Sequence, residues 1–172
     1  MRQLGIVALC SLALAGCATY QVGNGSLYAP DIATVYVPMI ESGSFRRDLG
    51  ERLTEAVIKE VELKTPYKVV GTPDADSILS VRLVDDSRRT LIESSFDDPR
   101  VSEVALYSEV SWLNRRRQPI APVQTTALPP ELVSIHQTTS IIPEVGQSVA
   151  TSHQQAIQRL AQQIVGTMEA PW

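Results

Sequence analysis

The chain has 172 residues, of which 15 are basic and 19 acidic, and its net charge is −4. A chain of this length is long enough for one domain with a hydrophobic core, but not comfortably for two. Its acidic balance provides no overall basic field, so nucleic acid is excluded as an expected partner.

The first residues are typical of an export signal. Met1-Arg2-Gln3 supplies a basic start, and an apolar run follows from Leu4 to Ala15. This run is shorter than the ~20 apolar residues that a bilayer-spanning helix needs. It ends in Leu14-Ala15-Gly16-Cys17, which resembles the bacterial lipobox, where the cysteine is acylated and the chain is cut before it. The alternative is an ordinary export signal with a chance cysteine.

Cleavage before Cys17 would remove residues 1–16, leaving 172 − 16 = 156 residues with 14 basic and 19 acidic side chains. Cys10 would leave with the signal peptide, so a disulfide framework is excluded. Two or three acyl chains would anchor the protein firmly. Ala18, and not Asp, follows the cysteine, which resembles the outer-membrane address of bacterial lipoproteins. We therefore expect a lipidated linker over residues 17–31 on the periplasmic side of the outer membrane.

A single domain is expected over residues 32–170. The stretch ATVYVPMI, Ala33 to Ile40, predicts a strand because β-branched and aromatic residues dominate it. A helix follows, with Ser44 as its N-cap, and ends at Thr65-Pro66. Its apolar residues recur at three- and four-residue steps on one face: Phe45, Leu49, Leu53, Ala56 and Val57. PYKVVG predicts a short second strand.

Apolar and polar residues alternate from Ser77, which predicts a third strand that continues through RRTLIES after a bulge at Asp85-Asp86. FDDPR indicates a hairpin connection to a fourth alternating strand, Ser102 to Leu113. Residues 114–143 contain five of the eleven prolines and predict a long irregular connection, with LVSIHQ as a short edge strand. An amphipathic helix is expected from about Glu144 to Glu169, with one apolar stripe: Val145, Val149, Ala156, Ile157, Leu160, Ile164 and Met168.

The element order β-α-β-β-β-α predicts an α+β fold, a two-layer sandwich with two helices packed on one face of a mixed four-stranded sheet. The helical crossover makes the first two strands parallel, and hairpins make the others antiparallel. Because both helices cover the same face, the other face is left bare. Its alternating Tyr, Ser, Glu and Arg side chains are where we expect a partner to dock.

Little in the sequence favours catalysis, and we expect neither an enzyme nor a bound cofactor or metal. His153 falls within the apolar stripe of the last helix, which favours a helix–sheet contact over a ligand role. His136 has no cysteine or carboxylate at metal-ligand spacing. Asp74 and Asp76 suit a capped turn better than a calcium loop, which needs a longer ladder of ligands.

Two groups of arginines are the candidate binding residues. Arg88-Arg89 and Arg115-Arg116-Arg117 lie towards ends of the third and fourth strands, and guanidinium groups bind phosphate in two-point geometry. They predict contact with an anionic lipid headgroup. The alternative is that they are solvated turn charges that discourage edge pairing.

The lipobox, the run SLYAPDIATVYVPMIESGSFRRDLGERLTEAVIKEVELKTPYKVV, the segments DADSILSVRLV and FDDPR, and the final run IIPEVGQSVATSHQQAIQRLAQQIV together resemble the lipopolysaccharide-assembly lipoprotein (LptE) family, particularly its planctomycete-type form. The resemblance implies a non-enzymatic outer-membrane lipoprotein, acylated at Cys17, that sits inside the β-barrel of its partner LptD. There it plugs the lumen, assists barrel assembly and handles lipopolysaccharide. The resemblance also implies that lipopolysaccharide is the anion bound by the candidate arginines: Arg88, Arg89, Arg115, Arg116 and Arg117.

The segments TVYVPMI, LTEAVIKEV, YKVV and DADSIL also resemble TolB N-terminal and curli-secretion-type lipoprotein domains. That resemblance implies a periplasm-facing adaptor or enzyme activator that does not enter a barrel. The sequence leaves both functions open.

Overall fold

The structure, a computed structural model, describes residues 27–46, 48–96, 98–120 and 132–169. The expected signal peptide, Cys17 and most of the linker at 17–31 lie outside the described residues, as does the middle of the connection, 121–131. The described elements, in chain order, are β1 (Thr34–Tyr36), β2 (Glu41–Ser42), α1 (Asp48–Lys64), β3 (Lys68–Val70), β4 (Ser77–Glu93), β5 (Pro99–Asn114), β6 (Val133–Ile141), a 3-10 helix (Pro143–Val145) and α2 (Val149–Gly166).

The strands form one mixed sheet in the order β3-β1-β4-β5-β6, and β2 pairs with β4 outside this path. β1 is parallel to β3 and to β4, whereas β4, β5 and β6 are antiparallel neighbours. The α+β class and the mixed sheet are therefore confirmed, but the sheet has six strands and not four. The first predicted strand, Ala33 to Ile40, is shorter in the structure, where β1 ends before Pro38, which cannot donate to a sheet ladder. The two-residue β2 lies just after the predicted strand and is one of the extra strands. The proline-rich connection contributes the other extra strand, the nine-residue edge strand β6.

Both helices pack on one face of the sheet and share a single hydrophobic core with it. The predicted periodicities account for this core, since the buried positions follow helical spacing in α1 and α2 and alternate in the strands. The buried apolar residues include Leu49, Leu53 and Val57 of α1, Leu79, Val81 and Leu83 of β4, Val104, Leu106, Val110 and Trp112 of β5, and Ile157, Leu160 and Ile164 of α2.

The starts of both helices differ from the prediction. α1 begins at Asp48, and the hydroxyl of Ser44 instead accepts a hydrogen bond from the backbone N–H of Arg46 at 3.2 Å in the preceding turn. Phe45 therefore precedes the helix and is fully exposed. Val145 is also exposed, because it lies in the 3-10 helix and α2 begins only after its N-cap, Ser148.

Helix α1 approaches the sheet most closely at Gly50, where a Cβ atom would clash with the carbonyl oxygen of Ile40. The neighbouring Thr54 hydroxyl accepts from the Ile40 N–H at 3.0 Å and donates to the Gly50 carbonyl at 2.7 Å. The missing side chain thus lets α1 lie directly against the chain between β1 and β2.

Candidate functional site

The sheet face opposite the helices is open among the described residues. Its centre carries Tyr107 of β5 and His136 of β6, whose rings stack with centroids 6.0 Å apart. The side chains around them are exposed or half-buried and mostly polar: Ser80, Arg82, Ser87, Arg89, Glu103, Glu109, Ser111, Ser134, Thr138 and Ser140. The predicted bare face is present, and its hydroxyl, carboxylate and guanidinium groups suit a partner that forms hydrogen bonds.

A β-bulge between Leu83 and Asp85 changes which residues of β4 face the helices. Up to Leu83 the odd-numbered residues are buried, but after the bulge Asp86 and Arg88 stand opposite the buried Leu106 and Val104 of β5. The extra residue at the bulge therefore turns the side chain of Asp86 towards α2.

Asp86 and His153 form a nearly buried pair between the sheet and α2, with side-chain exposures of 10% and 3%. The Nε2 atom of His153 lies 3.0 Å from Oδ1 of Asp86, and Nδ1 lies 2.9 Å from the carbonyl oxygen of Val149. Each ring nitrogen therefore lies within hydrogen-bond distance of an oxygen atom, one on the sheet and one on α2. The predicted helix–sheet contact of His153 is confirmed. Arg46 also pairs with Asp86, at 3.3 Å.

Arg88 and Arg89 lie in the half of the β4–β5 hairpin near its tip, here called the projecting half, where residues 87–93 of β4 are all exposed. Arg89 pairs with Glu103 at 3.3 Å on the open face, whereas Arg88 reaches the hydroxyl of Ser102 at 3.5 Å on the helix side. Both arginines are exposed, and so are the apolar residues near the tip: Leu91, Ile92 and Phe96. Since neighbouring strand residues point to opposite faces, the two guanidinium groups do not converge on one point.

Arg115 holds the opposite end of the hairpin together. Its Nε donates to the carbonyl oxygen of Ala75 at 3.0 Å, its Nη2 donates to that of Asp74 at 3.2 Å, and the same Nη2 pairs with Asp76 at 3.3 Å. Three contacts within the chain therefore occupy this guanidinium group.

Asp76 links this end of the hairpin to the start of β1. Its Oδ2 accepts from the backbone N–H groups of Ala33 and Thr34 at 3.1 and 2.9 Å, and from the Thr34 hydroxyl at 2.8 Å. The Thr34 hydroxyl, then these amide donors and the nearby charge of Arg115, lower the pKa of Asp76 below its ordinary value. The predicted capped turn is confirmed at this residue.

Arg116 and Arg117 stand on a tight turn between Asn114 and Gln118. The Oδ1 atom of Asn114 accepts hydrogen bonds from the backbone N–H groups of Arg116 and Gln118 at 2.8 and 2.9 Å. The backbone carbonyl oxygen of Asn114 accepts from the backbone N–H of Arg117 at 2.9 Å. Arg117 adopts φ = 58°, a left-handed conformation that costs a residue with a Cβ atom. Both side chains are exposed and lack an ion-pair partner within the described ranges.

The two arginine groups lie at opposite ends of the β4–β5 hairpin. Arg89 faces Glu103, whereas Arg115 directly follows the last residue of β5, Asn114. Twelve residue steps separate positions 103 and 115, or roughly 40 Å at about 3.3 Å per residue. One lipid headgroup cannot contact both groups. The sequence indicated that the arginines lie near strand ends, but only the strand register reveals that these ends are distant.

Neither a metal centre nor a membrane-spanning helix is found in the parts of the chain that the structure describes. No group of three or more His, Cys, Asp or Glu residues there could hold a metal ion. None of the helices in those parts is long and apolar enough to cross a membrane.

The fold belongs to a class of α+β sandwich domains that several solved structures share. The hypothetical protein CT253 from Chlamydia trachomatis matches with a TM-score of 0.55 and 8% identity, covering 78% of this chain and 94% of that chain. The PelC dodecamer from Paraburkholderia phytofirmans matches with a TM-score of 0.52 and 11% identity, covering 84% and 93%. The rare lipoprotein B from Shewanella oneidensis matches with a TM-score of 0.49 and 17% identity, covering 78% and 92%. At these identities the first two similarities establish the fold alone.

The family is defined by the sequence. The model of the LptE family, described as lipopolysaccharide-assembly, matches residues 32–168, and the chain therefore belongs to the LptE family. The family predicted from the sequence is confirmed, and membership supports a role in lipopolysaccharide assembly in the cell envelope. No curated protein matches the chain.

Proposed function

We propose that this protein is an outer-membrane lipoprotein that fills and helps to assemble an LptD-like β-barrel and assists lipopolysaccharide insertion into the outer leaflet. Residues 1–16 are removed, Cys17 is acylated, residues 17–31 form the linker, and 32–170 form the domain. The protein acts by filling the barrel lumen and by assisting the insertion of lipopolysaccharide, without catalysis. The family match carries this proposal, and the open polar sheet face is the structural feature that supports it.

A wide outer-membrane barrel has a polar lumen that leaks unless it is filled. The open face offers such a wall hydrogen-bonding groups on three adjacent long strands, with the Tyr107–His136 stack near the centre. β5 has 16 residues and so extends roughly 50 Å, more than the ~30 Å hydrocarbon core of a bilayer. A domain of these dimensions can contact a barrel wall over its full height. The lipid tether keeps it at a high effective concentration beside the barrel.

The projecting half of the hairpin is the part we assign to lipopolysaccharide. Arg88 on the helix side and Arg89 on the open face each supply a positive charge for a phosphate, and the exposed Leu91, Ile92 and Phe96 lie a few residues away. An amphiphile with phosphate and acyl groups matches both kinds of side chain. Of the other candidate arginines, Arg115 is occupied by contacts within the chain.

Co-purification from detergent extracts tests the barrel partner. We expect a large heat-modifiable outer-membrane barrel to accompany the protein. Tyr107→Glu, which places a charge on the open face, should greatly reduce its recovery, whereas Gln158→Glu on the exposed side of α2 should not. If a soluble periplasmic or cell-wall enzyme is recovered in its place, the adaptor function indicated by the TolB-like resemblance replaces this proposal.

Two further measurements test the lipid contacts. Mass spectrometry of the native amino-terminal peptide should detect an acylated Cys17, and an unmodified start would contradict the anchor. Lipopolysaccharide binding should weaken in Arg88→Gln/Arg89→Gln and with added salt, while Arg159→Gln on α2 serves as a charge control. Equal binding by both variants would remove the assignment to the hairpin.

A further inference from the structure

The turn that carries Arg116 and Arg117 lies at the end of the domain where the chain enters the fold. Arg115 bonds to Asp76, and Asp76 bonds to the backbone N–H groups of Ala33 and Thr34, at the beginning of β1. The first described residue, Leu27, follows Cys17 by ten positions. Ten extended residues span at most roughly 35 Å, so an acyl anchor on Cys17 holds this end close to the bilayer.

The conformation of the turn indicates that the Arg117 side chain has a function outside the fold. The side chain and carbonyl oxygen of Asn114 accept hydrogen bonds from the backbone N–H groups of the turn. The hydrogen bonds of the turn therefore do not require an arginine side chain at the strained position 117. Glycine or asparagine would adopt φ = 58° at lower cost than arginine. Strain of this kind is often retained where a side chain must be held in place for function.

The charges around the turn limit the distance over which it can attract an anion. Asp76 is neutralised by Arg115, but Asp31 lies beside Arg116 in the same surface depression, and Asp74 is at the same end of the domain. These acids prevent a broad positive field. Two exposed guanidinium groups without ion-pair partners among the described residues can still bind phosphates at short range, within a Debye length.

We propose that Arg116 and Arg117 bind the phosphate groups of anionic phospholipids in the leaflet that holds the acyl anchor. This inference rests on the acylated Cys17 of the proposed function. The contact orients the domain, with the Asn114–Gln118 turn against the bilayer and the hairpin tip, roughly 50 Å away along β5, directed outwards. The chemistry is that of a second membrane signal added to an acyl chain.

The experiment measures the orientation of the acylated protein in vesicles of phosphatidylcholine, with or without phosphatidylglycerol. Because acylation blocks Cys17, a single new cysteine can carry a fluorophore, either Thr72→Cys near the turn or Ser95→Cys near the hairpin tip, both exposed. Energy transfer to an acceptor on the lipid headgroups reports which end is nearer the bilayer. The test variant is Arg116→Gln/Arg117→Asn, and the matched control is Arg88→Gln/Arg89→Gln, which removes the same charge at the opposite end.

In phosphatidylglycerol vesicles we expect energy transfer to rise at position 72 and fall at position 95, relative to neutral vesicles. The test variant and high salt should abolish this difference, whereas the control variant should retain it. Equal transfer in both vesicle types, or equal loss in both variants, overturns the proposal. Loss of barrel co-purification in the test variant with an unchanged orientation also overturns it, because the turn would then contact a protein.

An unmodified Cys17 would refute the anchor without deciding the arginine contact. In that case the unmodified mature chain is sedimented with phosphatidylglycerol vesicles. Stronger binding by the wild type than by Arg116→Gln/Arg117→Asn supports the contact, and equal binding refutes it.

Discussion

The two ends of the β4–β5 hairpin contain similar residues, but different interactions hold them. Near Asn114, the backbone N–H groups of the turn and the Asp76 carboxylate are bonded within the chain, and the core lies directly beneath the strands. Beyond the bulge, β4 still contacts α2 through Asp86, but its residues from 87 to 93 are exposed on both faces. One hairpin therefore supplies core residues along part of its length and a run of exposed side chains near its tip.

The largest expected difference between the two regions is in packing. Leu79→Ala removes a side chain that is fully buried under the helices and should lower the free energy of unfolding by about 4 kcal/mol. Leu91→Ala, in the projecting half, should change it by less than about 0.5 kcal/mol. Denaturant titration of both variants tests this, and similar losses would mean that the hairpin tip is also part of the core.

His153 lies at the junction between the two regions. Among the described residues, His153→Ala leaves the nearly buried Asp86 with Arg46 as its charged partner and should cost about 3 kcal/mol in the free energy of unfolding. Gln155→Ala, two residues along the exposed side of α2, should have an effect below about 0.5 kcal/mol. The same titration checks both values. An equally mild effect at His153 would contradict a strong link between the bulge and α2.

The periodicity of the sequence predicted most of the fold because apolar residues repeat at helical or strand spacing wherever one face is buried. It failed where local chemistry competed with that pattern, as at Ser44, whose hydroxyl forms a turn. The short edge strand predicted at LVSIHQ is confirmed, but β6 is longer and continues to Ile141. The contact between Arg46 and Asp86 could not be predicted, since it depends on the bulge.

The candidate site was predicted less completely than the fold. The arginines were identified from their charge alone, but their separation depends on the pairing of Arg89 with Glu103, which is a tertiary property. The internal role of Arg115 depends on the carbonyl groups of residues 74 and 75, which no local pattern indicates. The acylation of Cys17 follows from a local motif and stays a prediction.

Acid should weaken the contacts of Asp76 with the start of β1. The folded-state pKa of Asp76 is lowered, so its contribution to stability is present above the pKa of the unfolded chain and is lost as pH falls through the lowered value. Asp76→Asn should therefore be less stable than the wild type at neutral pH, and the gap should close in acid. Thermal unfolding across this pH range measures the gap. Asp31→Asn, which removes an exposed carboxylate without a hydrogen bond in the described ranges, is the charge-matched control.

The smallest expected change is a gain. Arg117→Asn relieves the left-handed strain and should stabilise the fold by about 1 kcal/mol, measured by denaturant titration. Arg116→Asn, without positive φ, serves as the control and should have little effect. If Arg117→Asn destabilises the fold, the arginine side chain contributes to folding and is not held in strain for a contact outside the chain.

The central claim is that the open sheet face of this LptE-family protein lies against a barrel wall. A photo-crosslinking residue at position 107, in the middle of that face, tests it in intact cells, with position 158 on α2 for comparison. We predict that the adduct from position 107 contains a large, heat-modifiable outer-membrane barrel. Adducts from position 107 with soluble periplasmic proteins alone would contradict the account.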